Sequence, residues 1–418
     1  MDTVLALLAG AVLVLGLTSR LLKRNALSPV LFALLLGMAV GPAALGWVDL
    51  TGAVPRGPLL EEVARVALAL SVADIGVKLT RADLRSNARR VVLLLTVVMT
   101  GMWLLTALGG WLVLGLPVAV ALLLGAALTP TDPAVASALV SGVLPARMLP
   151  RRLRTTLQAE SGANDGLALP FVLLAGLLAT VPAGSAVTHW LGEAAREVGV
   201  AVLVGVPLGW LVGRLLRVSQ REKLVAESYL PLIGVALALL TVALVHLLGG
   251  SGVLGAFLAA VALSLTLPEA LREQVSTILT ASARFAVVAV FGVFGTVVPW
   301  SGWVELGLLG LVFAAWVLLV RRPPVVWLAL LPTDTGRGSR AYLAWFGPLG
   351  VAGVYYLAYA ERYGLPEYER LFAAGSLAVV ASVLVHTLTS TPGVTAFARR
   401  AGTERPEGES VVISGPLP

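Results

Sequence analysis

A chain of 418 residues with 58% hydrophobic and only 13% charged side chains is too apolar for a soluble domain, in which roughly a quarter of residues are charged. Its formal net charge of +7 would suit a nucleic-acid partner, but the basic residues sit in short loops between apolar runs, which explains them without one. With no cysteine, disulfides and thiolate metal centres are excluded too, and the composition places the chain in a lipid bilayer.

A spanning helix takes about 20 mostly apolar residues. Apolar runs bounded by charge, Gly or Pro predict 13 spans, at about 3–18, 27–44, 60–77, 91–114, 117–141, 155–181, 186–213, 228–248, 251–267, 283–299, 304–321, 340–360 and 370–390. The first run has no basic segment before it and basic residues after it, so it reads as a span and not as a signal peptide. Basic residues gather beside alternate loops, 25 of the 30 on one side. Arg56, Arg65, Arg196, Arg362 and Arg370 fall on or toward the other. By the positive-inside rule the chain is then a multi-pass protein of the cytoplasmic membrane, with its N-terminus outside and its C-terminus cytoplasmic.

An odd span count accommodates two six-span halves of opposite orientation, about 3–181 and 228–390, joined by a linking helix at about 186–213. The predicted fold is an all-α polytopic membrane protein with inverted-topology repeats and broken, crossing helices. Residues 1–398 form its transmembrane domain, and 399–418 read as a disordered cytoplasmic tail. Such repeats predict a Gly- or Pro-interrupted helix at the same place in each half. The fifth span carries "TPTDP" (Thr129 to Pro133) and the twelfth carries "FGPLG" (Phe346 to Gly350).

Pro130 and Pro133 each remove a backbone N–H and disfavour helix in the residue before them. The helix is expected to break there, with Asp132 as N-cap and Pro133 at the first position of a new helix. Gly347 and Pro348 mark the partner break. In the sixth span, "QAESGANDGLALP" (Gln158 to Pro170) puts Glu160, Asn164 and Leu167 on one helix face and Ser161 with Asp165 on the neighbouring one. Carboxylates inside a membrane are costly and mark ion or proton paths. Asp165, with the Ser161 hydroxyl one turn before it, offers oxygen ligands to a small hard cation or to a proton, and two cargoes competing for one carboxylate are coupled by that competition. Buried Glu160 needs a cationic partner. Arg322, between "WVLLV" and "PPVVWLAL", is preferred over Arg321, which otherwise reads as a cation snorkelling at the membrane edge. Asp74 in "LSVADIGVKL" is a further intramembrane or interfacial carboxylate.

These stretches carry a resemblance. "LGMAVGPAALG" (Leu36 to Gly46), "TDP" (Thr131 to Pro133), "ESGAND" (Glu160 to Asp165), "GGSGVLGAFLAAVAL" (Gly249 to Leu263) and "FGPLGVAGVYY" (Phe346 to Tyr356) resemble the monovalent cation/proton antiporter superfamily, on the sodium/proton exchanger branch that has Asn-Asp in the sixth span. The resemblance implies that Asp165 carries ion and proton, that Ser161 and Thr131 help to ligate sodium, and that Asp132 stabilises the crossing helices. It also implies a buried Glu160–Arg322 pair, with Asn164 and Asp74 completing the site's surroundings and Asp74 standing where relatives have glutamate. Asn164 in place of a second Asp implies one proton per cation, an electroneutral exchange. A homodimer, with a core domain moving against a dimerisation scaffold, is implied as well. Sodium or lithium and the proton are the cargo, and no resident cofactor or nucleic-acid partner is expected.

Two other readings compete. An intramembrane aspartyl protease would use Asp132 and Asp165 as paired carboxylates, but no protease motif is present; a potassium/proton antiporter or efflux system of the same fold is the nearer alternative. His189, His246 and His386 lack metal-ligand spacing and read as structural. Trp300, Trp303 and Trp345 read as interface anchors.

Overall fold

The computed structural model describes residues 9–10, 13–14, 16–17, 28–48, 56–132 and 148–403. Most of the first predicted span, the basic residues Arg20, Lys23, Arg24 and Arg147, Pro133 with the second half of the fifth span, and the tail beyond Thr403 lie outside these residues. All regular structure among the described residues is helical. In chain order the helices are α1 (Pro29–Val40), α2 (Arg56–Lys78), α3 (Arg81–Leu93), α4 (Met99–Leu112), α5 (Val118–Ala127), α6 (Arg151–Leu167), α7 (Leu169–Thr180), α8 (Ala183–Arg221), α9 (Leu230–Leu247), α10 (Gly252–Thr266), α11 (Glu269–Thr296), α12 (Trp300–Leu319), α13 (Pro323–Ala329), α14 (Arg337–Trp345), α15 (Val351–Tyr359) and α16 (Tyr368–Thr403). A π turn at Leu94–Val98 joins α3 to α4. Each predicted span from the second to the thirteenth coincides with a helix or a pair of half-helices, the fifth over its first half, which is the part described.

Local chemistry sets several of the helix starts. Ser28 accepts the Val30 N–H ahead of Pro29, and Thr80 with Asp83 forms a reciprocal capping box at the start of α3. Seven helices among the described residues are long and apolar enough to cross a membrane, and α1, α5 and α10 are shorter apolar helices. Helix α2 has the length as well, but Glu61, Glu62, Arg65, Asp74 and Lys78 load it with charge.

Two groups of helices emerge from the packing. Helices α1, α2 and α8 to α11 pack with one another, as do α4 to α7 and α12 to α16, and the groups meet where α2 lies against α6 and α15, α10 against α6, and α7 against α8. The outer faces are greasy: Leu203 on α8 is 75% exposed and Val304 on α12 is 80% exposed. An exposure that would be a liability in water is what a lipid-facing helix requires.

Within lipid, helices gain little from hiding apolar surface and associate instead by close packing at small residues. The α8–α10 contact is built this way. A Cβ on Gly209 would stand 2.0 Å from the Ala259 carbonyl oxygen, and one on Gly205 would stand 2.6 Å from that of Gly255. Gly209→Val is therefore expected to push α8 off α10 at a cost of about 1–3 kcal/mol, read as a lowered unfolding temperature in detergent; an unchanged temperature would mean that this approach is not holding the group together.

Candidate functional site

The helical path stops twice, and the two interruptions face each other. Helix α5 ends at Ala127 and residues 129–132 are irregular; α14 ends at Trp345 and residues 346–350 are irregular before α15 begins. Thr129 turns its hydroxyl back onto the Gly125 carbonyl at 2.7 Å. The Asp132 N–H donates to the Pro348 carbonyl at 2.9 Å, and the Val351 N–H donates to Asp132 Oδ2 at 3.0 Å. Each break thus supplies hydrogen-bond partners that the other has lost, which non-helical backbone at membrane depth requires. The approach is close enough to exclude a side chain, since a Cβ on Gly350 would lie 2.2 Å from that of Asp132. The N-cap role expected for Asp132 toward Pro133 lies outside the described residues; within them, Asp132 caps α15.

The charges follow the helix ends. Asp132 sits at the N-terminus of α15, where the partial charge is positive. Arg321 donates to the Leu128 and Gly347 carbonyls, the latter at 2.7 Å, just past the C-terminal ends of α5 and α14. One guanidinium therefore faces both negative ends. Reading Arg321 as a snorkelling edge cation is corrected here: it is only 2% exposed, because helix ends that terminate inside the protein demand a cation there. Its neighbour Arg322 pairs bidentately with Glu160, Nη1 to Oε1 at 2.6 Å and Nη2 to Oε2 at 2.9 Å, and donates from Nε to the Leu343 carbonyl. Both partners are buried. After a short interruption at residues 320–322, Pro323 and Pro324 open α13, with prolines in its first turn where the missing N–H groups cost nothing.

On α6, Asn164 Nδ2 donates to Thr131 Oγ1 at 2.9 Å and Asn164 Oδ1 accepts the Thr131 N–H at 3.3 Å. The hydroxyls of Thr131 and Ser161 are 3.1 Å apart. Ser161 thus joins Thr131 and Asn164 and not Asp165, its expected helical neighbour. Asp165 is 2% exposed, and its Oδ1 finds no hydrogen-bond partner among the described residues. The backbone of this turn is held from two sides. Tyr356 on α15 donates to the Asp165 carbonyl at 2.6 Å. Pro170 has no N–H to offer the Gly166 carbonyl, and Ser251, the N-cap of α10, donates its hydroxyl there at 3.3 Å.

Asp74 lies apart from this cluster. It accepts from Lys78 Nζ at 2.7 Å and from Thr280 Oγ1 on α11 at 2.5 Å, so its side chain is engaged within α2 and α11. Sequence reasoning did not anticipate Tyr356, Ser382 or the position of His386. Ser382 accepts the Leu349 N–H at 2.9 Å, and His386 Nε2 lies 3.0 Å from the Trp345 carbonyl, so both serve the second break. Tyr356 ends a quoted motif, but a Tyr in an apolar run carries no signal of its partner. Trp345 donates to Thr389, and Trp303 donates to Ser376, so both indoles tie into α16.

The profile of the family described as "Sodium/hydrogen exchanger, transmembrane" matches residues 5–396. The chain belongs to the sodium/hydrogen exchanger family. It is 31% identical over 335 residues to Na(+)/H(+) antiporter 2 of Zygosaccharomyces rouxii, covering 77% of this chain and 41% of the relative. It is also 31% identical over 287 residues to the K(+)/H(+) antiporter NhaP2 of Shewanella oneidensis, covering 68% of this chain and 48% of the relative. The chain spans less than half the length of these relatives. Its fold is that of the sodium proton antiporter MjNhaP1 from Methanocaldococcus jannaschii, with a TM-score of 0.79 at 19% identity over 95% of this chain and 98% of that one. Membership in a family of membrane exchangers removes the intramembrane protease reading.

Within this exchanger fold the Glu160–Arg322 pair makes a direct stability test. Arg322→Met leaves a buried carboxylate without its cation and is expected to cost about 3–5 kcal/mol. Combining it with Glu160→Leu should recover most of that loss in thermal unfolding measured in detergent; an equal loss in the double variant would assign the effect to the Leu343 carbonyl instead.

Proposed function

We propose that the protein exchanges a monovalent cation for a proton across the cytoplasmic membrane by alternating access, with Asp165 holding one cargo or the other. The observation that carries this reading is the state of Asp165. Asp132, Thr131, Ser161, Asn164 and Glu160 are all engaged, whereas a buried carboxylate oxygen of Asp165 finds no partner among the described residues. An oxygen of that kind accepts either a proton or a small cation. Thr131 and Ser161 lie in the same cluster with two hydroxyl oxygens 3.1 Å apart, and in this reading they join Asp165 as ligands of sodium or lithium.

A one-for-one, electroneutral exchange follows from what surrounds Asp165. Position 164 is an amide and has no proton to contribute, Asp132 is committed to the Val351 N–H, and Asp74 is paired with Lys78. One titrating carboxylate then carries one charge in either direction. The 31% identity to a potassium/proton antiporter favours potassium as the second reading for the cation. An N-terminus outside, a cytoplasmic C-terminus, inverted repeats at about 3–181 and 228–390, and a homodimer whose core moves against a scaffold complete the proposal. The basic loops and the family support these points.

In proteoliposomes holding an imposed pH gradient, sodium or lithium is expected to dissipate the gradient without generating voltage, and Asp165→Asn to abolish the response while the purified protein unfolds at an unaltered temperature. Exchange retained in Asp165→Asn would remove Asp165 as the carrier. Potassium acting alone would select the second reading, and a voltage would overturn the one-for-one count.

A further inference from the structure

Far from Asp165 along α15, a second ion pair joins the two helix groups. Glu61, near the start of α2, is 4% exposed. Arg362, in the 3-10 turn Ala360–Tyr363 that follows α15, grips it bidentately, Nε to Oε2 at 2.8 Å and Nη2 to Oε1 at 2.5 Å. The residues lie 301 positions apart in sequence, and they fasten the end of α15 to α2. The hydrogen bonds to Glu61 raise the guanidinium's pKa above its ordinary value, so this pair does not part by deprotonation.

What lies beneath the pair is continuous. The Arg362 guanidinium stacks over the Tyr359 ring at 4.9 Å. Tyr359 meets Tyr363 at 6.4 Å and Tyr355 at 6.1 Å, and Tyr355 meets Tyr356 at 4.8 Å. The Tyr356 hydroxyl ends the column on the Asp165 carbonyl. A line of packed rings thus runs along α15 from the pair to the carrier residue, on the seam between the two helix groups.

The pair also differs in kind from Glu160–Arg322. There both side chains are almost fully buried, at 0% and 2% exposure, and parting them would strand two charges without water. Here Arg362 is 53% exposed while Glu61 is 5% exposed. The guanidinium is already half hydrated, and water that enters as α15 leaves α2 reaches the carboxylate at once. Parting it strands one buried charge where parting Glu160–Arg322 strands two, so this contact closes the seam and opens more readily.

We infer that Glu61 and Arg362 form the outer gate of the transport cycle, closed in this structure and required to part before Asp165 exchanges its cargo with the external side. The inference rests on the exchange and the orientation proposed above. Opening it leaves Glu61 as an unneutralised carboxylate at the mouth, where it attracts an incoming cation.

The chain contains no cysteine, so one introduced thiol is a unique reporter. Ala360→Cys places it in the same turn at a position that is 0% exposed. Its labelling by a membrane-impermeant maleimide added outside is measured in sealed vesicles, alone and combined with Arg362→Gln, with Glu61→Gln, and with the swap Glu61→Arg plus Arg362→Glu. Each single loss is expected to speed labelling about fivefold, the scale of a half-exposed ion pair, and the swap to restore the slow rate. In the parent, imposing a sodium or pH gradient should change the labelling rate, and in Arg362→Gln it should not. Equal rates in all four backgrounds, a swap that labels as fast as the single variants, or a parent rate indifferent to both gradients would each overturn the gate. Cation–proton exchange measured on the same vesicles stands apart from labelling: its absence in the parent would sink the transport reading, while a pair that controls labelling without it would remain a latch on the seam.

Discussion

The structure is organised by a requirement of backbone in lipid: every N–H and carbonyl must find a partner inside the protein. Two helices that break at membrane depth violate it, and the crossing near Asp132 and Pro348 is how the violation is repaired. The repair uses one carboxylate and one guanidinium of opposite placement. Asp132 accepts the first N–H of α15, and Arg321 takes carbonyls from both preceding half-helices. Because these charges are committed to helix ends, Asp165 beside them is the one acidic group in the crossing with a buried side-chain oxygen that finds no partner among the described residues.

The neighbouring arginine distributes load differently. Arg322 fixes α6 through Glu160 and the end of α14 through Leu343, so residues 321 and 322, adjacent in sequence, hold different parts of the site. A lysine could supply either charge, but not the two-carbonyl span of Arg321 or the parallel fork of Arg322. Residues 320–322 leave regular helix between α12 and α13, and there the two side chains reach separate partners.

Much of this was legible in the residues. Alternating charge across apolar runs gave the spans, and two interrupted segments in corresponding places gave the crossing, because Pro and Gly act on the backbone wherever the chain puts them. The carboxylates at 132, 160 and 165 announced themselves by being in lipid at all. Less visible were the partners. Whether Arg321 or Arg322 met Glu160 depended on a turn that hydropathy does not report, and the duty of Arg321 toward Leu128 and Gly347 could not be inferred without knowing that both half-helices end beside it. Helical spacing sets Ser161 one turn before Asp165, yet its hydroxyl meets that of Thr131, in the break after α5. Tyr356, Ser382 and His386 act by donating to or receiving from backbone groups, which leave no mark in sequence.

The restraint on the backbone around Asp165 bears on how an ion would be recognised under the proposed exchange. Tyr356 donates to the carbonyl of Asp165, and Ser251 donates to that of Gly166, so each of these two carbonyl oxygens already accepts a hydrogen bond. Under the proposed exchange, the shell offered to a cation is then made of a carboxylate oxygen, hydroxyls and whatever water accompanies the ion. A rigid cage of carbonyls would discriminate by radius. A site that leaves part of the hydration shell in place discriminates by how readily each ion surrenders the remainder, so under the proposed exchange dehydration would weigh as much as fit in ranking the alkali cations.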